Sequence, residues 1–248
     1  MTHPDALRTA LAPFGALRVT INYGNPILAH RDAETGELSG VSVDLARALA
    51  ERLDLPLTLV PFESAGKAVA ALNASEADVG FFARDPARAE EIAFTAPYVL
   101  IEGSYLVKAD SPIRANEEVD RTGVRVTVGK GSAYDLFLTR ALKHAAIERA
   151  PTSPAVVQVF LDTQADVAAG VRRQLEQLIA HRDDLRLLDG RFMVIEQAMG
   201  VRRAFGDAAA QALAVFVEDA KRDGWIADAL ARHGVSGATV APPADPAA

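Results

Sequence analysis

The chain contains no cysteine among its 248 residues, which excludes disulfide bonds, thiolate metal ligands and cysteine nucleophiles. It also lacks a surplus of positive charge, because 26 Lys and Arg residues stand against 33 Asp and Glu, for a formal net charge of -7. Nucleic acids and anionic lipid surfaces require clustered Lys and Arg, so we expect neither as a partner. Half of the residues are hydrophobic and 24% are charged, as is typical of a globular protein.

Long hydrophobic runs are absent as well. No segment of the sequence is apolar over the length needed to span a bilayer. Residues 1–16 carry no basic start followed by an apolar run, so no signal peptide is visible. We expect either a cytoplasmic protein or a chain whose leader has been removed.

The common cofactor and catalytic motifs are missing too. The sequence holds no G-x-x-x-x-G-K-[ST], no H-E-x-x-H and no G-x-S-x-G motif, and its five histidines are scattered without the spacing of metal ligands. We therefore predict no metal and no cofactor.

What is present is an alternation of short β-rich runs and amphipathic helical segments. The predicted strands are Leu17–Ile21, Leu57–Val60, Asp78–Ala83, Val124–Val128 and Asp166–Gly170. The predicted helices are Ser42–Leu53, Ser64–Ala74, Ser132–His144, Ser153–Leu161 and a last region, Ala208–His233, broken at Gly224. Ser42 and Ser64 are predicted helix caps. A stretch with Gly and Pro, Ser111 to Gly123, separates two such runs, so we predict two α/β lobes rather than one.

Parallel sheets place ligands beyond the carboxyl ends of their strands. The loops after Ile21, Val60 and Phe82 are therefore the first candidates for a site in the first run of elements.

Several motifs resemble the type II periplasmic solute-binding proteins, specifically the family 3 group that delivers polar amino acids to ABC transporters. The resemblance spans Leu17 to Gly234. Gly40–Ala50 (GVSVDLARALA) is similar to the family's opening helix, and Asp85–Glu90 followed by Phe94–Tyr98 (FTAPY) resembles its segment with a cleft arginine. Lys221–Ile226 (KRDGWI) resembles the family's closing helix pair.

This resemblance implies a two-lobed α/β fold, each lobe a mostly parallel sheet flanked by helices, with two hinge crossings and the ligand at the lobe interface. The chain would cross near Leu100 and return near Gln197, so that residues 1–100 and 197–234 form lobe 1 and residues 101–196 form lobe 2. Residues 235–248 are small, Pro-rich and without pattern, and we expect a mobile tail. The family further implies a periplasmic protein with a small-molecule ligand and ABC transporter membrane subunits as partners. We also expect a monomer.

Arg88 is the first candidate for ligand binding, because the resemblance places it in the cleft and a guanidinium can grip a carboxylate bidentately at any useful pH. The alternative is a solvated surface arginine paired with Glu90 or Glu91. Ser132, after Gly131, opens a helix whose free N–H groups favour an anion, or it is an ordinary cap.

Further candidates follow the predicted strands of both lobes. Ser64 and Lys67 open the second helix, where Lys67 either faces the ligand or points to water. The aromatic candidates either pack on a ligand or belong to the core. The remaining candidates of this group are Asn22, Tyr23, Phe82, Ala83, Tyr134 and Arg172, with Phe81 beside them.

Two departures from the family pattern bear on the ligand. The Ser or Thr that amino-acid binders place before the cleft arginine is missing from Phe81–Arg84, and the acidic residue that holds the ligand's ammonium is replaced by Gly170-Val171-Arg172. A buried ammonium without a partner is costly, unless Asp85, Glu63 or Glu102 substitutes. Arg172 instead suits a second anionic group. We therefore predict a small carboxylate or amino-acid-like ligand.

Two other functions remain open at this point. An enzyme resembling the cyclohexadienyl dehydratases needs an acid and a base in the cleft, for which Glu102, Glu196 and His144 are residues of the right type. A cytoplasmic ligand sensor is the other alternative.

Overall fold

The structure is a computed structural model that describes residues 8, 11, 12 and 14–244. Its contacts divide the chain into two compact units. Unit 1 comprises Met1–Leu100 and Glu196–Ala248, and unit 2 comprises Ile101–Ile195. The chain leaves unit 1 within one long strand and returns to it within another.

Unit 1 is built on a mixed sheet with helices. Its strands are β1 (Leu17–Asn22), β2 (His30–Arg31), β3 (Leu38–Ser39), β4 (Leu57–Phe62), β5 (Val79–Ala83), β6 (Ile92–Phe94), the start of β7 (Val99–Lys108), most of β12 (Met193–Arg202) and β13 (Ala238–Val240). Its helices are α1 (Val41–Leu53), α2 (Ala65–Asn73), α3 (Pro86–Ala89), α7 (Asp207–Arg222) and α8 (Trp225–Arg232). β1 pairs in parallel with both β4 and β5, whereas β12 is antiparallel to β5 and β6. The carboxyl ends of β4, β1 and β5 therefore lie along one edge of the sheet.

The predicted N-cap of α1, Ser42, is wrong. The helix begins at Val41 with Gly40 as its N-cap, and Ser42 is a buried helix residue. Gly40 has φ 116°, and a Cβ there would lie 2.6 Å from the carbonyl oxygen of Leu28. Only glycine fits this position. By contrast, Ser64 caps α2 as predicted, since its Oγ accepts a hydrogen bond from the backbone N–H of Lys67.

A buried ion pair fastens β1 to the start of β5. Asp78 directly precedes β5 rather than beginning it, and it is 0% exposed. Its carboxylate accepts hydrogen bonds from Nε of Arg18 at 3.0 Å, Nη2 at 2.7 Å and the backbone N–H of the same residue at 3.0 Å. The pair holds the pKa of Arg18 above its ordinary value. Two strands distant in sequence are thereby joined through one carboxylate.

Unit 2 also consists of strands flanked by helices. Its strands are the remainder of β7, β8 (Arg125–Gly129), β9 (Ala146–Ala150), β10 (Val167–Val171), β11 (Leu185–Leu187) and the start of β12. Its helices are α4 (Ala133–Ala141), α5 (Val156–Asp162) and α6 (Arg172–Ile179). β8 pairs in parallel with β9 and β10, while β7 is antiparallel to β10 and β11. Phe160, Leu106 and Leu175 belong to its core cluster.

The predicted helix from Ser132 to His144 ends earlier than expected, at Ala141. Asp120 is the reason, because its carboxylate accepts hydrogen bonds from the backbone N–H groups of Lys143, His144 and Ala145. These three consecutive bonds divert the chain from the helix into β9. Sequence periodicity did not indicate β9, since the carboxylate that directs it comes from a distant loop.

The C-terminal part of unit 1 is more structured than the sequence indicates. The predicted break at Gly224 is confirmed, since that residue has φ 76° between α7 and α8. Within the segment from Val235 that we expect to be mobile, β13 (Ala238–Val240) pairs with β7, and the backbone N–H of Ala241 donates to the carbonyl of Tyr98. Lys221 Nζ donates to the carbonyl of Pro242 at 2.9 Å. Residues 245–248 lie outside the described residues.

Candidate functional site

Arg88 lies in the short helix α3, directly after β5. Asp85 caps this helix, since its Oδ1 accepts a hydrogen bond from the backbone N–H of Ala87 at 2.9 Å, and Pro86 opens it. Arg88 is only 6% exposed, and its Nη1 donates to the carbonyl oxygen of Ala83 at 3.0 Å. Arg88 is therefore not a solvated surface arginine.

The charge of Arg88 is retained despite this burial. Desolvation lowers its pKa from the ordinary arginine value to about 10, and the nearby charge of Asp85 opposes that decrease. A pKa of about 10 keeps the guanidinium protonated throughout the physiological range. A buried, charged fork of donors is well suited to an anionic group.

The aromatic candidates on β5 belong to the core of unit 1. Phe82 packs in a buried cluster with Leu72 and Ile92, and Phe81 meets Tyr98 edge to face at 6.1 Å between ring centroids. Ala83 ends the strand and contributes its backbone carbonyl to Arg88. The alternative of core packing is thus the one the structure supports for Phe82.

Asn22 and Tyr23 occupy the turn after β1. The Oδ1 of Asn22 accepts a hydrogen bond from the backbone N–H of Gly24 at 3.1 Å, and Tyr23 donates its backbone N–H to the carbonyl of Phe62. The guanidinium of Arg31 lies 5.7 Å from the Tyr23 ring. Both candidates are half-buried at the edge where β1 and β4 end.

Ser64 and Lys67 follow β4 at the same edge. Ser64 is the cap of α2, as described above, and Lys67 forms an i,i+4 ion pair with Glu63. The Lys67 side chain is 63% exposed, and its hydrogen bond with Glu63 raises its pKa. The structure therefore favours the exposed, paired alternative for Lys67.

Ser132 and Tyr134 stand at the N-terminus of α4 in unit 2. Ser132 Oγ accepts a hydrogen bond from the backbone N–H of Asp135 at 3.0 Å, while the Asp135 carboxylate accepts one from Gly131 N–H at 2.8 Å. Asp135 also receives Nε of Arg149 at 3.0 Å. Tyr134 is buried, and desolvation raises the pKa of its hydroxyl. The helix start thus already contains a carboxylate from its own first turn.

Arg172 opens α6 after β10 and lies in a cluster of charges within unit 2. Its Nε is 3.2 Å from Oε2 of Glu102, its Nη1 is 3.7 Å from Oε1 of Glu176, and it donates to the carbonyl of Gly190. Glu102 also pairs with Arg191 at 2.7 Å. Sequence reasoning missed this cluster, because Glu102 and Arg191 lie on strand β7 and a loop that are distant from α6 in sequence.

A concave feature that sequence reasoning also missed lies in unit 1, with a volume of about 410 Å³. Two of its lining residues, Arg84 and Glu196, form an ion pair with 3.1 Å between Nη1 and Oε2. Arg203 Nε donates to the carbonyl of Ala89 at 2.7 Å. Its lining residues are Arg84, Asp85, Pro86, Ala89, Ile92, Phe94, Glu196 and Arg203. In the sequence, only the two charged residues directly after β5, Arg84 and Asp85, pointed to it.

Among residues 8, 11, 12 and 14–244, no three or more His, Cys, Asp or Glu side chains are grouped so as to hold a metal ion. Across the same described residues, every helix is too short or too polar to cross a bilayer.

A family model matches most of the chain. The model is that of the bacterial extracellular solute-binding proteins, family 3, and it matches residues 17–235. The glutamine-binding protein of Geobacillus stearothermophilus is 28% identical over 123 residues, which are 48% of this chain and 46% of that protein. The aligned part therefore spans about half the length of this curated relative.

Solved structures resemble the chain over nearly its whole length. A putative binding component of an ABC transporter from Wolinella succinogenes DSM 1740, complexed with lysine, is 23% identical with a TM-score of 0.73, covering 88% of this chain and 95% of that one. An ancestral amino acid-binding protein, a precursor of cyclohexadienyl dehydratase, is 22% identical with a TM-score of 0.73, covering 91% and 98%. At these identities the likeness concerns the fold, and it confirms the predicted α/β fold of the type II periplasmic binding proteins.

Proposed function

This chain belongs to the bacterial extracellular solute-binding proteins, family 3, and from that premise we propose that it captures a small carboxylate or amino-acid-like solute reversibly, through Arg88. The observation that carries the proposal is the burial of a guanidinium that keeps its charge. The guanidinium of Arg88 carries a planar fork of N–H donors, which can bind a solute carboxylate bidentately.

The surroundings of Arg88 support this role. Its contact with the Ala83 carbonyl and the capping of α3 by Asp85 hold the arginine at the end of β5. In α/β sheets this carboxyl edge is where ligands bind. Asn22 and Tyr23 follow β1, and Ser64 follows β4, so these candidates lie along the same edge of unit 1.

The test is calorimetry with a panel of small carboxylates and amino acids on the wild type and on Arg88→Ala. Loss of one partner of a buried charge pair should weaken binding by about 3 kcal/mol, which is about a hundredfold in Kd. Arg84→Ala is the matched control, because Arg84 lies four residues away but pairs with Glu196 on the surface. Equal affinity of Arg88→Ala and wild type would remove Arg88 from the site.

We further propose that the solute is released unchanged. The ancestral precursor of a dehydratase among the structural neighbours gives the enzyme alternative its specific support. The surroundings of the candidate catalytic residues favour binding without turnover. Glu102 forms ion pairs with two arginines, and Glu196 forms one with Arg84. His144 is exposed, and its backbone N–H is bonded to Asp120. Mass spectrometry of prephenate-like acids after incubation with the protein would detect turnover, and a product would overturn this part of the proposal.

We also propose a partner and a compartment for the chain. It acts as a monomer that delivers its solute to the membrane subunits of an ABC transporter, a role supported by the ABC transporter component among its structural neighbours. It does so outside the cytoplasm, as the family's description as extracellular supports. Cell fractionation with an antibody against the native protein tests the compartment. Recovery of the protein in the cytoplasm would favour a ligand sensor.

A further inference from the structure

The helix that carries Arg88 has little packing of its own. α3 comprises only Pro86–Ala89, a single turn. It packs against β6, but of its four residues only Arg88 is buried. One turn of helix is unstable by itself, and α3 has no buried apolar side chain to fix it. Hydrogen bonds from neighbouring segments must therefore keep Arg88 in place.

The segment around α3, Arg84–Glu91, is bonded at both ends to β12 or to the residue after it. At the start, the backbone N–H of Arg84 donates to the carbonyl of Glu196 at 2.8 Å. At the end, the backbone N–H of Arg203 donates to the carbonyl of Glu91 at 2.8 Å. The segment, Glu196 and Arg203 all contribute to the lining of the cavity of about 410 Å³. Part of the segment therefore borders open space rather than packed side chains.

Arg203 also contacts the end of α3 through its side chain. Its Nε donates to the carbonyl oxygen of Ala89, the last residue of the helix, at 2.7 Å. The last carbonyl groups of a helix have no partner within the helix, and arginine side chains commonly supply one. This one comes from 114 positions away in the sequence. Since Ala89 directly follows Arg88, the bond fixes the backbone on the C-terminal side of Arg88, as the cap by Asp85 does on the N-terminal side.

The placement of this backbone matters for the guanidinium. Arg88 Nη1 donates to the carbonyl of Ala83 at 3.0 Å, which orients the planar group from one side. A bidentate contact with a carboxylate requires two parallel N–H···O bonds and tolerates little displacement. Any movement of α3 would shift both donors together.

Building on the proposed function, we propose that Arg203 is a positioning residue for solute binding, which acts through Arg88 without contacting the solute. The observation that carries this inference is the hydrogen bond from Arg203 Nε to the end of a helix with little packing of its own. When a binding-competent conformation is populated only in part, the apparent affinity falls by that fraction. Loss of one hydrogen bond from a charged donor should therefore weaken binding about fivefold.

Calorimetry measures this effect on affinity. The titrants are L-glutamine, L-lysine, 2-oxoglutarate and phenylpyruvate, and the one that binds the wild type most tightly is used for every variant. Arg203→Ala should weaken binding about fivefold, and Arg203→Lys should recover most of the loss, because its ammonium can still donate to Ala89. Arg202→Ala is the matched control, since the Arg202 guanidinium lies over the ring of Phe205, 4.5 Å from its centroid. It should bind like the wild type.

Hydrogen–deuterium exchange without solute tests the positioning directly. Amides of residues 85–91 should exchange faster in Arg203→Ala than in the wild type, because the end of α3 opens more often. Arg203 is exposed, so its replacement should leave the melting temperature close to that of the wild type.

A double variant separates positioning from direct contact. In an Arg88→Ala background, Arg203→Ala should change the affinity no further, because a residue that acts through Arg88 then has nothing left to position. A further loss of about fivefold would show that Arg203 contacts the solute itself, and it would overturn the inference.

Wild-type affinity and exchange in Arg203→Ala, together with weaker binding in Arg88→Ala, would also overturn the inference, and they would leave the proposed function standing. The proposed function fails differently. In that case none of the four titrants binds the wild type, or Arg88→Ala binds as tightly as the wild type, and the inference falls with it.

Discussion

Replacing Asp78 by alanine should destabilise unit 1 far more than removing an exposed acid. The Asp78 carboxylate is fully buried and accepts three hydrogen bonds from Arg18, two from the guanidinium and one from the backbone N–H. The substitution leaves that N–H and a largely covered guanidinium without their partner. Breaking a buried ion pair in this way costs about 3–5 kcal/mol.

The lower end of that range applies here. The side chain of Arg18 is 22% exposed, so water can solvate part of the orphaned guanidinium, and we expect a loss of about 3 kcal/mol. Asp184→Ala is the matched control, because Asp184 pairs with Arg182 at 2.6 Å but its side chain is 60% exposed. An exposed pair of this kind contributes at most about 1 kcal/mol.

Urea unfolding followed by circular dichroism measures both variants. With slopes of about 1–3 kcal/mol/M, Asp78→Ala should lower the midpoint of the unit 1 transition by about 1 M or more, and Asp184→Ala should lower its own by much less. Trp225 lies in unit 1, so its fluorescence reports on that unit if the two units unfold separately. Equal losses of stability in the two variants would refute the argument that burial makes the Asp78 ion pair strongly stabilising.

Two further predictions concern backbone geometry and pH. Gly40→Ala should destabilise the protein by about 2 kcal/mol or more, because φ is 116° and the new Cβ would clash with the carbonyl of Leu28. Gly224→Ala should cost only about 1 kcal/mol, because that residue has φ 76° and open space around it. Similar melting temperatures for the two variants would contradict the steric argument. The three backbone hydrogen bonds to Asp120 lower the pKa of its carboxyl, so its contribution to stability is present above the ordinary Asp pKa and is lost as the pH falls through the lowered one. Urea midpoints measured from pH 7 to 3 should therefore fall less steeply for Asp120→Asn than for the wild type, and identical slopes would show that Asp120 does not contribute.

Local sequence patterns predicted the strands and helices that have a clear hydrophobic periodicity of their own. The strands β1, β4, β5, β8 and β10, with the helices between them, appear within a few residues of the predicted positions. The cap at Ser64 and the break at Gly224 are also as expected. These features depend on side-chain periodicity and on backbone preferences within one turn, so a single stretch of sequence contains the information.

For the candidate site, too, local sequence predicted some features, while others depend on contacts between distant residues. The sequence predicted a ligand-binding arginine at position 88, but its burial depends on how α3 packs against β6 and on the contact of Arg88 with the Ala83 carbonyl. For Lys67, Phe82 and Arg172, the choice between a ligand role and an ordinary structural one depended on partners that are not encoded nearby. Glu102 is 70 positions from Arg172, and no local pattern reports such a contact.

By itself, the sequence determined the α/β class, the order of the parallel strands along the chain and the placement of Arg88 after the third of them, because these follow from periodicity and turn chemistry over a few residues. Only the tertiary structure decided that β9 and β13 form and that Arg88 is buried. Those outcomes depend on contacts between groups far apart in the chain, where burial changes the energy of a charge or a hydrogen bond more than any local preference does.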